Sequence, residues 1–311
     1  MTTSNVLMVR PVDFAFNSQT GEDNEFQQQL PLDEAVVRQQ VLQQFEQAVT
    51  LLRSFAINVM VLEKEPQGQQ TPDAIFPNNW FATDSQGNII LFPMKTLNRQ
   101  WEVRSEAAKA LLQHHGFKVE SIITVADQVP GHEPANQILE GTGAMVFDHS
   151  HKLAYAALSE RCHQGLLDHY CQQIGYRPVS FSTRSSSGHP VYHTNVLMSV
   201  GEDFVVLCSQ SIVDADRAGV IDTIKQSGKQ LIDIDMAQME QYFCGNILEL
   251  KSSSGERVLA LSAQAWAGFT PQQQAFFNAR MKICAPDINT IETVGGGSMR
   301  CMLAEVFNPV L

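Results

Sequence analysis

Gly295-Gly296-Gly297-Ser298-Met299-Arg300-Cys301-Met302-Leu303-Ala304-Glu305-Val306-Phe307 is the stretch around which the rest of the chain is read. Three consecutive glycines let the backbone take positive φ or approach another group closely, and they lead into a short apolar run that reads as a strand. Cys301 is then the first side chain that this loop delivers at a strand's mouth. A thiol becomes a nucleophile only where something lowers its pKa or takes its proton, so the reading requires a base and an anchor elsewhere. The plainer alternative is a small buried hydrophobe, like the other cysteines.

Working outward, the chain repeats one plan. Residues 6–12 read as a buried strand, a polar loop follows over 17–29, apolar residues recur at helical spacing over 31–56, and a strand returns at 58–62. A second unit has short strands at 80–83 and 89–92 around the turn Asp84-Ser85-Gln86-Gly87-Asn88, then a helix over 101–115 and a strand over 118–124. The third unit places strands at 144–147 and 153–158, a helix over 160–173 and a strand at 177–181. The fourth has strands at 196–200, 204–208 and 230–234 with a helix over 214–226, and the fifth has strands at 247–250, 258–262 and 290–294 with a helix over 271–281.

Equivalent strand entrances fall at Asn79, Gly143, Asn195, Asn246 and Cys301, with spacings of 64, 52, 51 and 55 residues. One hairpin and one helix cannot bury their own apolar faces, so the units must share a core in a radial or stacked array. An ordinary mixed α/β sheet is the alternative. No Pro-, Gly- or Ser-rich linker separates two halves, so one domain over 1–311 is expected.

Composition narrows the function. Apolar residues make up 44% of the chain, ample for a core, and charged residues only 17%. The formal net charge is −12, and no Lys/Arg cluster offers phosphate neutralisation, so nucleic acid and anionic membrane are not expected partners. Cys162, Cys171, Cys208, Cys244, Cys284 and Cys301 lack C-x-x-C spacing, so neither a structural zinc nor a dithiol motif is indicated. A reduced, cytoplasmic protein fits best, since residues 1–10 carry no secretory pattern and no run reaches about 18 apolar residues.

Chemistry gathers at the entrances. In Pro72-Asp73-Ala74-Ile75-Phe76-Pro77-Asn78-Asn79-Trp80, Asp73 can accept from an ammonium, while the amides of Asn78 and Asn79 offer donor and acceptor at a strand's start. Loops of this composition are also common plain turns. Leu139-Glu140-Gly141-Thr142-Gly143 places a carboxylate before small residues, and His193 heads a strand in an apolar setting where imidazole titrates near neutral pH. Glu140, His193 and Cys301 occupy matching entrances of three units. In a closed ring such positions converge on the axis.

Residues 139–143, 193–195 and 295–301 resemble the three signatures of the guanidino-group modifying superfamily, the pentein fold. That superfamily includes arginine deiminases, dimethylarginine dimethylaminohydrolases, N-succinylarginine dihydrolases and amidinotransferases. Met8-Val9-Arg10-Pro11, Phe76-Pro77-Asn78-Asn79-Trp80 and the Gly-Gly-Gly-Ser-x-Arg-Cys run are most similar to an arginine-deiminase-related branch that includes the citrulline utilization hydrolase. The resemblance covers essentially the whole chain. It implies an α/β fold in the form of a five-bladed α/β propeller with pseudo-fivefold ββαβ repeats and a central site.

The resemblance also implies roles. Cys301 would attack the central carbon of a guanidino or ureido group and give a covalent thio-intermediate. His193 would protonate the leaving nitrogen and then activate water, and Glu140 would pair with His193 and with substrate nitrogens. Arg161 resembles the position that grips a substrate carboxylate; Arg99 or Arg104 is a second candidate, and Asp73 is a candidate for the α-amino group. The mechanism calls for no metal or cofactor, the implied partner is a small amino-acid substrate, and a homodimer is compatible with it.

The sequence departs from arginine deiminases at Asn79 and Asn195, where those enzymes carry carboxylates that clamp the guanidinium. Amides remove two negative charges and supply donor and acceptor together, which suits a neutral ureido group. A citrulline-like substrate, hydrolysed to ornithine, carbon dioxide and ammonia, is therefore expected. The rivals are an arginine-type deiminase or dihydrolase, an amidinotransferase, a cysteine protease, and a non-catalytic pentein binding module.

Overall fold

The computed structural model describes residues 2–64, 68–128 and 137–311. Among these, fifteen strands form five separate three-stranded sheets. The strands are β1 (Asn5–Val9), β2 (Asn58–Leu62), β3 (Phe81–Thr83), β4 (Asn88–Leu91), β5 (Ser121–Thr124), β6 (Val146–Asp148), β7 (Leu153–Ala157), β8 (Arg177–Phe181), β9 (Met198–Val200), β10 (Phe204–Leu207), β11 (Gln230–Asp233), β12 (Leu248–Lys251), β13 (Arg257–Ala260), β14 (Lys282–Cys284) and β15 (Ala304–Glu305).

One connectivity serves all five sheets. An antiparallel hairpin pairs β3 with β4, β6 with β7, β9 with β10 and β12 with β13, and the second strand of each then pairs in parallel with β5, β8, β11 and β14. A parallel neighbour needs a crossover of a dozen or more residues, and a helix supplies it each time. These helices are Ser105–His114, Gln164–Ile174, Asp214–Gln226 and Pro271–Asn278. The fifth sheet is assembled from both ends of the chain: β15 pairs antiparallel with β1, and β1 pairs parallel with β2 across the helix Glu34–Ser54.

Local chemistry explains the crossovers. In Glu34–Ser54 the buried Val37, Val41, Phe45, Ala48, Val49 and Leu52 recur every three or four residues, so one stripe faces the sheet. Asp33 caps its first turn by accepting from the Ala35 N–H, and Thr270 and Gln273 form a reciprocal capping box ahead of Pro271–Asn278.

The repeat expected from the sequence is therefore present as five like sheets in a mixed α/β fold. No ladder joins one sheet to the next among the described residues, so they do not close into a barrel, and a five-bladed propeller is not established by the strand pairing. Three local expectations change. The strand expected at 290–294 is the helix Asn289–Gly295, and the last strand of that unit is β14, earlier in the chain. Its β-branched residues favour a strand by propensity, but Ile288, Ile291 and Val294 recur at helical spacing and all are buried, so packing overrides propensity. The helix expected over 101–115 is two, Leu97–Gln100 and Ser105–His114, with Arg104 at the break.

The third change concerns the entrances. Asn79 ends a 3-10 turn (Pro77–Asn79), Gly143 and Asn195 sit in one-turn helices (Gly141–Ala144 and Thr194–Leu197), and Cys301 sits in the 3-10 turn Met299–Met302. Four of the five entrances are thus helical turns that precede their strands, while Asn246 lies in irregular backbone just before β12. These turns pack on one another, Pro77–Asn79 against both Gly141–Ala144 and Met299–Met302, and Gly141–Ala144 against Thr194–Leu197.

Candidate active site

The glycine run positions Cys301 by ending a helix. Gly296 takes φ of 62° and caps Asn289–Gly295, its N–H donating to the Glu292 carbonyl. A Cβ at Gly296 would stand 2.6 Å from Gln27 Cγ, so only glycine fits both the conformation and the space. The chain then turns back and the Cys301 N–H donates to the Ser298 carbonyl at 3.0 Å. Cys301 is 2% exposed, and burial pushes its thiol up from 9.0. Two amide N–H groups oppose that push: Asn195 Nδ2 donates to Sγ at 3.3 Å and Asn246 Nδ2 at 3.2 Å. Cys162, Cys171 and Cys284 carry no such donors and are pushed up to about 12.

His193 and Glu140 meet as a pair. His193 Nε2 lies 2.8 Å from Glu140 Oε2, and both side chains are buried. Burial lowers the imidazole from 6.5, against the pull of the Glu140 carboxylate. The Glu140 carboxyl is held well below the usual range despite burial, by Arg161, His193 and Arg99, and the Lys95 backbone N–H donates to Oε1 at 3.0 Å. Gly143 leaves the room this pair needs: a Cβ there would lie 2.2 Å from Asn79 Nδ2 and 2.9 Å from His193 Nδ1.

Two arginines line the same space, each already engaged. Arg99 grips Glu102, with Nη2 to Oε2 at 2.9 Å, and its Nη1 donates to Asn79 Oδ1 at 2.7 Å. Arg161 pairs with Asp23, donates through Nη1 to Glu140 Oε2 at 3.4 Å, and lies over the Tyr192 ring at 5.2 Å. Asp73 accepts from Asn17 Nδ2 at 2.7 Å and Thr20 Oγ1 at 2.8 Å, and burial raises its carboxyl above 3.8.

Thr20, Asn24, Asp73, Phe76, Asn79, Arg99, Arg161, Tyr192, His193, Gly295, Gly297 and Cys301 line one narrow, tightly packed cavity. Around it, five buried polar atoms have no protein partner: Asp73 Oδ1, both ends of the Asn78 amide, Asn79 Nδ2 and Asn195 Oδ1. Each unmade hydrogen bond costs roughly 1–3 kcal/mol when buried, so the folded chain carries a site built for a polar ligand.

The structure thus brings Cys301, His193, Glu140, Asp73, Asn79, Arg99, Arg161 and Asn195 together, with Asn78 buried beside them. It does not bring Arg104 there. Arg104 donates to the Glu63 carbonyl at 2.5 Å and lines a separate cleft with Arg10, Lys64 and Trp101.

Sequence reasoning assigned no role to Asn246, Asp23, Thr20, Asn24 or Tyr192. Asn246 was visible as the fourth entrance of the repeat, equivalent to Asn195, and that equivalence was the available signal. Asp23 and its neighbours belong to the polar loop of 17–29, whose composition says only that it is a loop. In three dimensions it is stitched across the cavity, with Gln27 Nε2 on the Gly295 carbonyl at 3.0 Å and Asn98 Nδ2 on Asn17 Oδ1 at 2.7 Å.

The family model of eukaryotic N,N-dimethylarginine dimethylhydrolase matches residues 10–308. No curated protein matches. Among solved structures, a substrate-bound cysteine-to-serine variant of the N-terminal domain of ArgZ, a cyanobacterial arginine dihydrolase, is 14% identical over 99% of both chains, with a TM-score of 0.69. A cysteine-to-alanine variant of AgrE with L-arginine is 13% identical and has a TM-score of 0.71, covering 99% of this chain and 40% of that one. A histidine-to-glycine dimethylarginine dimethylaminohydrolase, as an adduct with S-methyl-L-thiocitrulline, is 12% identical over 98% of this chain and 100% of the other, with a TM-score of 0.64. At these identities the likeness is one of fold.

Proposed function

The chain belongs to the N,N-dimethylarginine dimethylhydrolase family, hydrolases of non-peptide carbon–nitrogen bonds in the pentein superfamily, and on that premise we propose that it hydrolyses the ureido group of citrulline to ornithine, carbon dioxide and ammonia. The observation that carries the substrate reading is which end of each amide is left without a partner in Asn79, on the cavity wall, and in Asn195, beside Cys301. Arg99 has donors only, so Asn79 must turn its carbonyl to it, which leaves Nδ2 as a donor without a partner. Asn195 turns its N–H to Cys301, which leaves Oδ1 as an acceptor without a partner. A ureido group offers a carbonyl oxygen to the first and an N–H to the second, whereas a guanidinium offers donors only.

In this reading the chain is one catalytic domain over 1–311, and its five sheets are blades around an axis on which the entrance turns meet. Cys301 attacks the ureido carbon, its thiol proton passes to His193, and His193 returns it to the leaving nitrogen as the carbon–nitrogen bond breaks. Water, deprotonated by His193, then attacks the thioester-like carbon and frees Cys301. The carbamic acid released falls to carbon dioxide and an amine, so one citrulline and one water give one ornithine, one carbon dioxide and one ammonia. Glu140 holds His193 in place and stabilises its charged form. Arg161 and Arg99 serve the substrate carboxylate, and Asp73 Oδ1 serves the α-ammonium. The reading places the enzyme in the cytoplasm; among the described residues no helix is long and apolar enough to cross a membrane.

A second reading, arginine dihydrolase, is favoured by charge: the Glu140 carboxyl, held despite burial well below the usual range by Arg161, His193 and Arg99, stays ionised beside the cavity and offers a cation an anionic partner. It contains the same ureido step after a first deimination. Ornithine and ammonia release from citrulline, arginine and N-acylated arginines, measured for wild type and Cys301→Ala, separates the two. Turnover of citrulline supplied alone, lost in Cys301→Ala, is expected. Turnover of arginine with none of citrulline overturns the asparagine argument, and activity retained in Cys301→Ala overturns the nucleophile.

A further inference from the structure

Asn246 holds Cys301 at both ends. Its Nδ2 donates to Sγ at 3.2 Å and to the Asn195 carbonyl at 2.9 Å, while its Oδ1 accepts from the Cys301 N–H at 3.3 Å. The side chain is fully buried, and Gly245 before it packs so closely on the Val196–Leu197 backbone that a Cβ there would stand 2.3 Å from the Val196 carbonyl. Asn246 is therefore locked to the turn that carries Asn195, and the two amides reach the sulfur from adjacent entrances of the repeat.

The ion pair expected for an activated thiol is not what this geometry supplies. His193 Nε2 is committed to Glu140. The groups facing the cavity with Cys301 are Asp73, Arg99, Arg161, Tyr192 and His193, and the arginines are bound to Glu102, Asp23 and Glu140; Arg300 precedes Cys301 but turns to the Leu303 carbonyl and Glu305. What touches Sγ is the pair of amide donors.

We propose that Asn246 is a catalytic residue: with Asn195 it forms a two-donor cradle that receives the negative charge of the Cys301 sulfur, so that ionisation of the nucleophile is set by fixed amide dipoles. Such a cradle works like an oxyanion hole, being oriented before the charge appears. The inference rests on the reading of Cys301 as the nucleophile, but its test does not require a substrate.

The test measures alkylation of Cys301 by iodoacetamide against pH, with peptide mapping to isolate the Cys301 adduct from the other five cysteines. Asn246→Asp keeps shape and volume but replaces the donor on Sγ with a carboxylate oxygen. A hydrogen bond to a charged group governs roughly a ten- to hundredfold change in equilibrium, so the midpoint of the alkylation profile is expected to rise by about 1–2 pH units and kcat/KM to fall at least tenfold. Asn246→Ala, which removes the donor without adding charge, is expected to move the midpoint the same way by less, and it decides the matter should the Asp variant fail to fold. A folded variant that loses activity while its alkylation midpoint stays at the wild-type value has only a structural role for Asn246, and overturns the proposal. An unchanged midpoint with unchanged activity overturns it equally. Cys301→Ala separates the premise: if that variant keeps turnover, the nucleophile reading fails independently of where the midpoint lies.

Discussion

Asn79→Asp reverses one atom of the site and gives the sharpest prediction. The replacement is isosteric, and the oxygen that accepts from Arg99 Nη1 at 2.7 Å is retained. The change is confined to the atom without a partner, where an N–H donor becomes a second carboxylate oxygen. A ureido carbonyl at that point loses a hydrogen bond, roughly 1 kcal/mol, and faces an acceptor, leaving two buried acceptors unmatched at roughly 1–3 kcal/mol. The sum, about 2–4 kcal/mol, corresponds to about a 30- to 900-fold fall in kcat/KM for citrulline, at 1.36 kcal/mol per factor of ten. A guanidinium experiences the opposite sign, because a donor now meets a charged acceptor. Arg99 is already beside the new charge, so the thermal midpoint should move by only a few degrees. The assay is ornithine formation from citrulline and from arginine for wild type and variant, with kcat/KM for each. If the ratio of the two specificity constants does not shift towards arginine, the orientation of the Asn79 amide does not determine the substrate.

Two further predictions concern the same cavity. Gly143→Ala places a methyl group 2.2 Å from Asn79 Nδ2 and 2.9 Å from His193 Nδ1. Moving those side chains is expected to lower kcat by about a hundredfold or more and to cost about 1–3 kcal/mol in urea unfolding; wild-type kcat in this variant would show that the crowding is tolerated. The pH dependence of stability has a definite sign. Glu140 is depressed from 4.5 and His193 from 6.5, so in both cases the unfolded chain binds more protons over the window below those values. Their contribution is complete above pH 6.5 and is lost as pH falls, first through His193 below 6.5 and then through Glu140 below 4.5. Denaturant unfolding between pH 4 and 7 should show wild type losing stability as pH falls, with a shallower slope in a His193→Gln variant. Equal slopes would remove the histidine from the account.

Much of the fold and of the candidate site was legible in the chain because both depend on periodicity. Alternating short apolar runs, helical stripes such as Val37, Val41, Phe45 and Leu52, and turn residues at regular intervals delimit the five repeats, and equivalent entrances select Glu140, His193 and Cys301 without any knowledge of distance. The boundaries that failed were those where packing overrode propensity. Thr290-Ile291-Glu292-Thr293-Val294 has the composition of a strand, yet it is a helix because its apolar residues fall on one face and Gly296 ends it. Arg104 was indistinguishable from Arg99 as a carboxylate ligand, since both are arginines near one helix; only the break between Leu97–Gln100 and Ser105–His114 sends them to different cavities.

The sequence by itself determined which chemistries were available: one thiol after three glycines, one imidazole and one carboxylate in register, and amides at Asn79 and Asn195. Tertiary structure alone decided which end of each amide the ligand meets. An asparagine carries donor and acceptor on one symmetric group, and neither composition nor spacing says which is spent. For Asn79 the choice was made by Arg99, 20 residues away, and for Asn195 by Cys301, 106 residues away. The same long-range contacts lay Asp23 on Arg161 and Asn246 on the sulfur, and these are relations between side chains that only folding brings within hydrogen-bond reach.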